Sequence, residues 1–198
     1  MSLDLYSTAI GTFGGIAVAL ITTFGPALND KIKKRRFRTF KATIPAIHDV
    51  YQHLNTVVNR LGSTRAMVMY TENGGGKPSV GAQLYVSIVY EVVHFTHSIR
   101  NMFQRIRVDE KYILMLKYLY DDPDGRTIVV TDQMPNCLLK SIYLEAGTKM
   151  SILYLVKETK KRLYYASFNF PHDQITSELI YHCDLEAAAI KRLFHAVD

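Results

Sequence analysis

Cysteine is scarce in this chain: Cys137 and Cys183 are the two in 198 residues. That excludes a disulfide scaffold and a cysteine-based zinc or iron–sulfur centre. Tryptophan is absent, and there are no internal repeats and no low-complexity tracts. Net positive charge is nearly missing from the bulk of the chain. Of the net +6, residues 1–41 hold +5, from seven Lys/Arg against two Asp, which leaves +1 for residues 42–198. A main domain so close to neutral lacks the electrostatic footprint of a nucleic-acid binder. With 48% hydrophobic and 21% charged residues, the chain is neither disordered nor fibrous.

The most informative absence is local. No charged side chain lies between Asp4 and Asp30, so residues 5–29 are twenty-five uncharged positions. About 20 residues at ~1.5 Å each cross a hydrocarbon core of ~30 Å. The segment is read as a single membrane-spanning helix over 1–30. A helix of the protein's own core, or one inserted among other subunits, are the alternatives. Pro26, after Gly25, kinks or ends it. A cleaved signal peptide is disfavoured, because no basic residue precedes the apolar run. The basic residues follow it, at Lys31, Lys33, Lys34, Arg35, Arg36, Arg38 and Lys41. Positive residues collect on the cytoplasmic side and sit among anionic headgroups. The expectation is a single-pass protein of the inner membrane, with the basic segment 31–41 at the bilayer and the C-terminal domain in the cytoplasm. Ser7, Gly11, Gly15, Ala19 and Thr23 recur every four residues, one ridge of small side chains on a helix. Such a ridge allows close helix–helix packing, hence an expected homo-oligomer. The expected partners are a bilayer or a hydrophobic protein surface through residues 5–29, and other protein subunits.

Residues 42–198 are read as one domain. Apolar residues at helical spacing run from Phe40 to Leu61, with Gly62 as the cap. Strands are expected at 64–70 and 84–94, although the second run does not alternate strictly and part of it could be helix. Residues 111–120 fit either helix or strand. Asp121-Asp122-Pro123-Asp124-Gly125 is a turn and 126–131 a short strand. A helix is expected over 135–146 with Gly147 as its cap. The strands 148–157 and 163–170 form the clearest hairpin. A last helix opens at Thr176 or Ser177, with Leu179, Ile180, Leu185, Ile190 and Leu193 inward. The class is α+β: an antiparallel sheet with helices packed on one side, the long first and last helices lying together.

The stretch LKSIYLEAGTKMSILYLVKETKKRLYYASFNF (139–170) resembles the closing half of a GAF domain: helix, glycine turn at Gly147, central strand, turn, second strand. The stretch TRAMVMYTENGGGKPSVGAQLYVSIVYEVV (64–93) is similar to the GAF-like segment of small phage and bacterial membrane proteins, with Asn73, Gly74 and Gly75 after the first strand, then Tyr90 and Glu91. The resemblance spans about residues 42–196. It implies a GAF/PAS-like ligand-binding or interaction scaffold with a pocket lined by Tyr70, Asn73, Gly74, Gly75, Tyr85, Tyr90 and Glu91. It also departs from the family. Cys137 and Cys183 do not fall where bilin-attaching members place their cysteine. The Asn-Lys-Phe-Asp-Glu set of cyclic-nucleotide binders and the cysteine cluster of methionine-sulfoxide-reducing members are absent.

No catalytic group stands out. Gly74-Gly75-Gly76-Lys77-Pro78-Ser79 has phosphate-loop residue types but not the G-x-x-x-x-G-K-[ST] spacing, and Pro78 opposes a helix start. His94 and His97 pair with Glu91 only if the stretch is helical, so neither a metal nor a cofactor is expected. Cys183, between His182 and Asp184, reads as a small buried hydrophobe, since neighbouring helix residues point apart. The functional expectation is a membrane-anchored GAF-like module that senses a ligand or binds a protein and is not an enzyme. The alternative is a phage virion component whose N-terminal helix packs with other subunits or enters the host membrane.

Overall fold

The computed structural model describes residues 42–73 and 80–196. The expected spanning helix, its small-residue ridge, the basic run to Lys41, and Gly74 and Gly75 lie outside the described residues. Among the described residues no helix is long and apolar enough to cross a membrane. The contacts below belong to the compact unit Ala46–Asp198.

Helix α1 (42–60) places Val50, Leu54, Val57 and Val58 on one buried stripe. Gly62, at φ +74, ends it, as its missing Cβ allows. Six strands follow: β1 (Arg65–Glu72), β2 (Tyr85–Val93), β3 (Ile106–Arg107), β4 (Arg126–Val130), β5 (Met150–Glu158) and β6 (Leu163–Phe170). They form one antiparallel sheet in the order β3-β2-β1-β6-β5-β4. Helices α2 (Glu110–Asp121), α3 (Leu138–Glu145) and α4 (Ser177–Ala196) complete the domain.

The helices cover both faces of the sheet, not one side as expected. The reason lies in the inner strands. Almost every residue of β1 is buried, so neither of its faces can be left to water. Ala66 and Val68 pack with α1 and α4 against Ile152, Phe168 and Phe170. Met67 and Met69 pack the other way, against α2 and α3 with Leu153 and Tyr165. The first and last helices share one cluster, as expected, and His53 Nδ1 of α1 lies 2.6 Å from Glu186 Oε2 of α4. The buried stripe of α4 is Cys183, Ala187 and Ile190; Leu185, expected inward, is half exposed because it falls off that stripe.

Two bulges re-aim side chains. Val68 pairs with Tyr90 and Met69 with Ile88, so Val89 is an extra residue in β2. This is why a strand lacks strict alternation there. In β5 the register jumps over Val156, and Lys157 Nζ then donates to Phe194 O, 2.7 Å away in the last turn of α4. A cation at that end also opposes the helix dipole. The 111–120 segment is helix, with Asp109 accepting from Tyr112 N at its start. Helix α3 begins at Leu138, three residues later than expected, after a 3-10 turn at Thr131–Gln133 and a short irregular stretch.

Gly125 carries a prediction. Its φ is +63 and a Cβ there would meet Leu155 Cβ at 3.2 Å. Gly125→Ala combines left-handed strain with this close approach and should cost about 1–2 kcal/mol. Denaturant unfolding measures it; an unchanged midpoint would mean the turn relaxes freely.

Candidate functional site

Between the sheet and α2 the space is filled by the protein's own side chains. Met67, Met69, Tyr112, Leu116, Leu119, Leu153 and Tyr165 form one continuous cluster. The hydroxyls of Tyr112 and Tyr165 bond to each other inside it. Burial pushes both phenols up.

The layer changes character toward the start of β1. Arg65 is fully buried there, and its Nε donates to Glu91 Oε1 at 3.1 Å across the β1–β2 pair. The Glu91 side chain is itself only 5% exposed. Burial pulls the Arg65 pKa down, and the Glu91 carboxylate opposes that pull. The pair also organises the chain after β2. Arg65 Nη2 donates to His97 O at 2.7 Å and Thr96 Oγ1 at 3.3 Å. Glu91 accepts from Ile99 N at 3.1 Å and from the Ser98 hydroxyl. Four consecutive residues, Thr96 to Ile99, therefore hang on one ion pair. Phe95 and Arg105, near the two ends of this loop, both adopt φ 55, an uncommon conformation for side chains of their size.

A cavity of about 360 Å³ lies between this loop and the end of α3, with Arg65, Thr96, Ile99, Met102, Ile142 and Ala146 in its lining. Beside it, directly across β1 and β6, Arg65 pairs in register with Asn169. Asn169 is fully buried, and its Oδ1 accepts from Ser151 Oγ at 3.0 Å and Ser167 Oγ at 2.9 Å. Arg65 Nη1 and Asn169 Nδ2 are buried donors without a partner.

Other depressions are shallower in chemistry. One of about 340 Å³ runs between α2 and the β5–β6 turn, past Tyr120, Glu158 and Arg162. One of about 200 Å³ separates α2 from β4. Near α4, Asp184 accepts from Arg126 Nη1 at 2.9 and 2.8 Å and from the Tyr154 hydroxyl at 2.8 Å, which satisfies that cluster internally.

Of the seven residues expected to line one pocket, Gly74 and Gly75 lie outside the described residues, and the other five are spread over separate surroundings. Tyr90 packs toward α1 and α4, its ring 5.4 Å from Tyr51 and 6.3 Å from Phe194. Tyr70 sits beneath the Arg162 guanidinium at 4.2 Å and beside Tyr164. Tyr85 stacks under Arg105 at 5.1 Å near the β3 edge. Asn73 follows β1 at the opposite end of that strand from Arg65. None of the described ones lines the cavity; Glu91 comes nearest in bonding, through Arg65, because strand alternation turns it to the opposite face from Tyr90. Arg65 was not singled out by sequence reasoning. Its one signal is a lone cation opening an otherwise apolar strand, TRAMVMY. Cys183 is buried among the α1 and α4 residues, and its thiol is pushed up to about 12 by burial. Among the described residues no cluster of His, Cys, Asp or Glu suits a metal ion.

The strand order and the two helical layers define the class: the domain has a GAF-like fold. It superposes on the phycoerythrobilin-bound GAF domain of a cyanobacterial phytochrome with a TM-score of 0.52 at 10% identity, over 80% of this chain and 95% of that one. A GAF3 domain from Synechocystis in its photoproduct state gives 0.53 at 9% identity, over 76% and 94%. A bacteriophytochrome from R. palustris gives 0.51 at 8% identity, over 85% of this chain and 37% of that longer one. At such identities the likeness is one of fold. By sequence, no family model and no curated protein matches the chain.

Proposed function

We propose that the chain is a non-catalytic sensing and interaction module, held at the cytoplasmic face of the inner membrane by residues 5–29. Its GAF-like domain responds to occupancy of the cavity beside Arg65. One observation carries this reading: Arg65, which lines the cavity, belongs to the ion pair that fixes the loop Thr96–Ile99. A molecule entering there meets Arg65 and the loop together, so binding and loop position are linked through shared hydrogen bonds. The cavity stands at the lower end of the about 300–1,000 Å³ range of small-molecule sites. We read it as a binding site, because the buried carboxylate, Glu91, already accepts from Arg65, Ser98 and Ile99 and is not free to act as a base.

The membrane address follows from the uncharged run and the cations after it, Lys31 to Lys41. Self-association through Ser7, Gly11, Gly15, Ala19 and Thr23 belongs to the same proposal. Fractionation of the expressed full chain tests the address. Recovery in the membrane pellet after a carbonate wash is expected. Quantitative release into the supernatant would remove the anchor from the reading.

A further inference from the structure

We infer that the exposed stripe of α2 formed by Lys111, Leu114, Tyr118 and Asp121 is a contact surface for a second copy of this chain, the two α2 helices lying antiparallel. This goes beyond the sensing role and does not depend on the cavity beside Arg65. The first ground is spacing. Intervals of three, four and three residues set the four side chains in one line along the helix. All four are exposed, Leu114 at 41% and Tyr118 at 58%. They run beside the groove of about 200 Å³ between α2 and β4, whose lining includes Lys111, Leu114 and Tyr118. That groove gives a partner's side chains room against the stripe, with Tyr112, Met115, Leu116 and Leu119 left buried on the helix's other side.

The second ground is charge, and it selects the occupant. Helix α2 runs from Glu110 to Asp121, so Lys111 stands in its first turn and Asp121 is its last residue. Each charge sits at the end where the helix dipole disfavours it. Asp121 pairs with Lys117 one turn away, an exposed pair in the weaker order, base before acid. Lys111 makes no ion pair among the described residues. A second α2 set antiparallel, crossing at the level of Leu116, gives both charges partners. Lys111 of each copy then faces Asp121 of the other, and each Leu114 meets a Tyr118. A two-fold axis makes these contacts reciprocal. A parallel pairing would instead set Lys111 against Lys111 and Asp121 against Asp121. The stripe is thus complementary to itself reversed, and a second copy of this chain carries it.

Disulfide trapping in the full chain, in detergent, reads this geometry. Cys137→Ser removes the half-buried thiol and leaves the buried Cys183. Lys111→Cys chains and Asp121→Cys chains, carrying tags of different size, are oxidised together and alone. In the antiparallel pair, position 111 of one copy lies against position 121 of the other. Like positions stand about 15 Å apart along the axis, at ~1.5 Å per residue. The mixed dimer also keeps one native Lys111–Asp121 contact at its other end. The mixed cross-link is therefore expected to exceed either homodimer at least tenfold. Adding Leu114→Glu to both chains should cut it tenfold or more, with the urea midpoint close to the parent's because that side chain is exposed. Homodimers as abundant as the mixed product would overturn the antiparallel register. No cross-link, or one indifferent to Leu114→Glu, would overturn the second copy as occupant of the stripe. Either failure leaves the sensing cavity and the membrane address standing.

Discussion

Replacing Glu91 with alanine is expected to destabilise the domain by about 3–5 kcal/mol, because it strands a fully buried guanidinium. The size follows from asymmetry. Arg65 and Glu91 together lose hydration on folding and regain it from each other, so the pair contributes little net stability. Removing one partner leaves the other's desolvation uncompensated. The carboxylate also anchors Ile99 N and Ser98, so the loop loses two further contacts. Urea unfolding should show a lower midpoint with an unchanged slope. Hydrogen exchange at Thr96–Ile99 should rise before global unfolding does. The double variant Arg65→Met with Glu91→Leu should recover most of the loss, since apolar residues of similar volume often replace a buried pair without cost. A Glu91→Ala loss below about 1 kcal/mol would show that Arg65 reaches water, as an exposed pair would. The cavity would then lose its organising charge.

That Arg65 went unread in the sequence has a physical cause. What was legible were features whose signal is local. The β5–β6 hairpin announces itself by two β-rich runs around Lys157–Arg162, and α4 by Thr176, whose hydroxyl accepts from Leu179 N. Segments with apolar residues all round were ambiguous. Helix α2 exposes Ile113, Leu114, Tyr118 and Tyr120 while burying Tyr112, Met115, Leu116 and Leu119, so no stripe marks it as helix. The bulge at Val89 broke the alternation that marks a strand. The spread of the described pocket residues has a related reason. It gathered Tyr70, Tyr85, Tyr90 and Glu91 from β1 and β2 without assigning them to faces, and the two faces are walled off from each other by the sheet. Arg65 meets Glu91 across 26 residues of chain and Asn169 across the next strand pair. Such meetings are set by register, which composition and spacing do not reveal.

The second large effect is expected in alkali. Cys183 and four phenols, Tyr112, Tyr143, Tyr154 and Tyr165, are all pushed up, burial being the first cause in each. For the Tyr154 hydroxyl, Cys183 and Asp184 add to the rise; for Tyr165 the hydrogen bond to Tyr112 works against it. In the unfolded chain a thiol titrates near ~8.5 and a phenol near ~10. Above those values the folded domain holds protons that the unfolded chain has released, so stability falls as pH rises. The contribution is whole below about pH 8.5 and is lost progressively above it, at about 1.4 kcal/mol per pH unit for one such group. Between about pH 8.5 and 10 the thiol acts alone among these five. The decline is then gentle, and it continues toward the folded value of about 12. Above about pH 10 the four phenols join it and the slope should steepen several-fold, enough to unfold a domain of ordinary stability before pH 12. Urea midpoints measured from pH 7 to 11 should therefore be flat, then shallow, then steep. Cys183→Ala should flatten the shallow limb, and Tyr165→Phe should reduce the steep one. A domain whose midpoint holds to pH 11 would show that these hydroxyls reach solvent, and that the layer between the sheet and α2 is open to water.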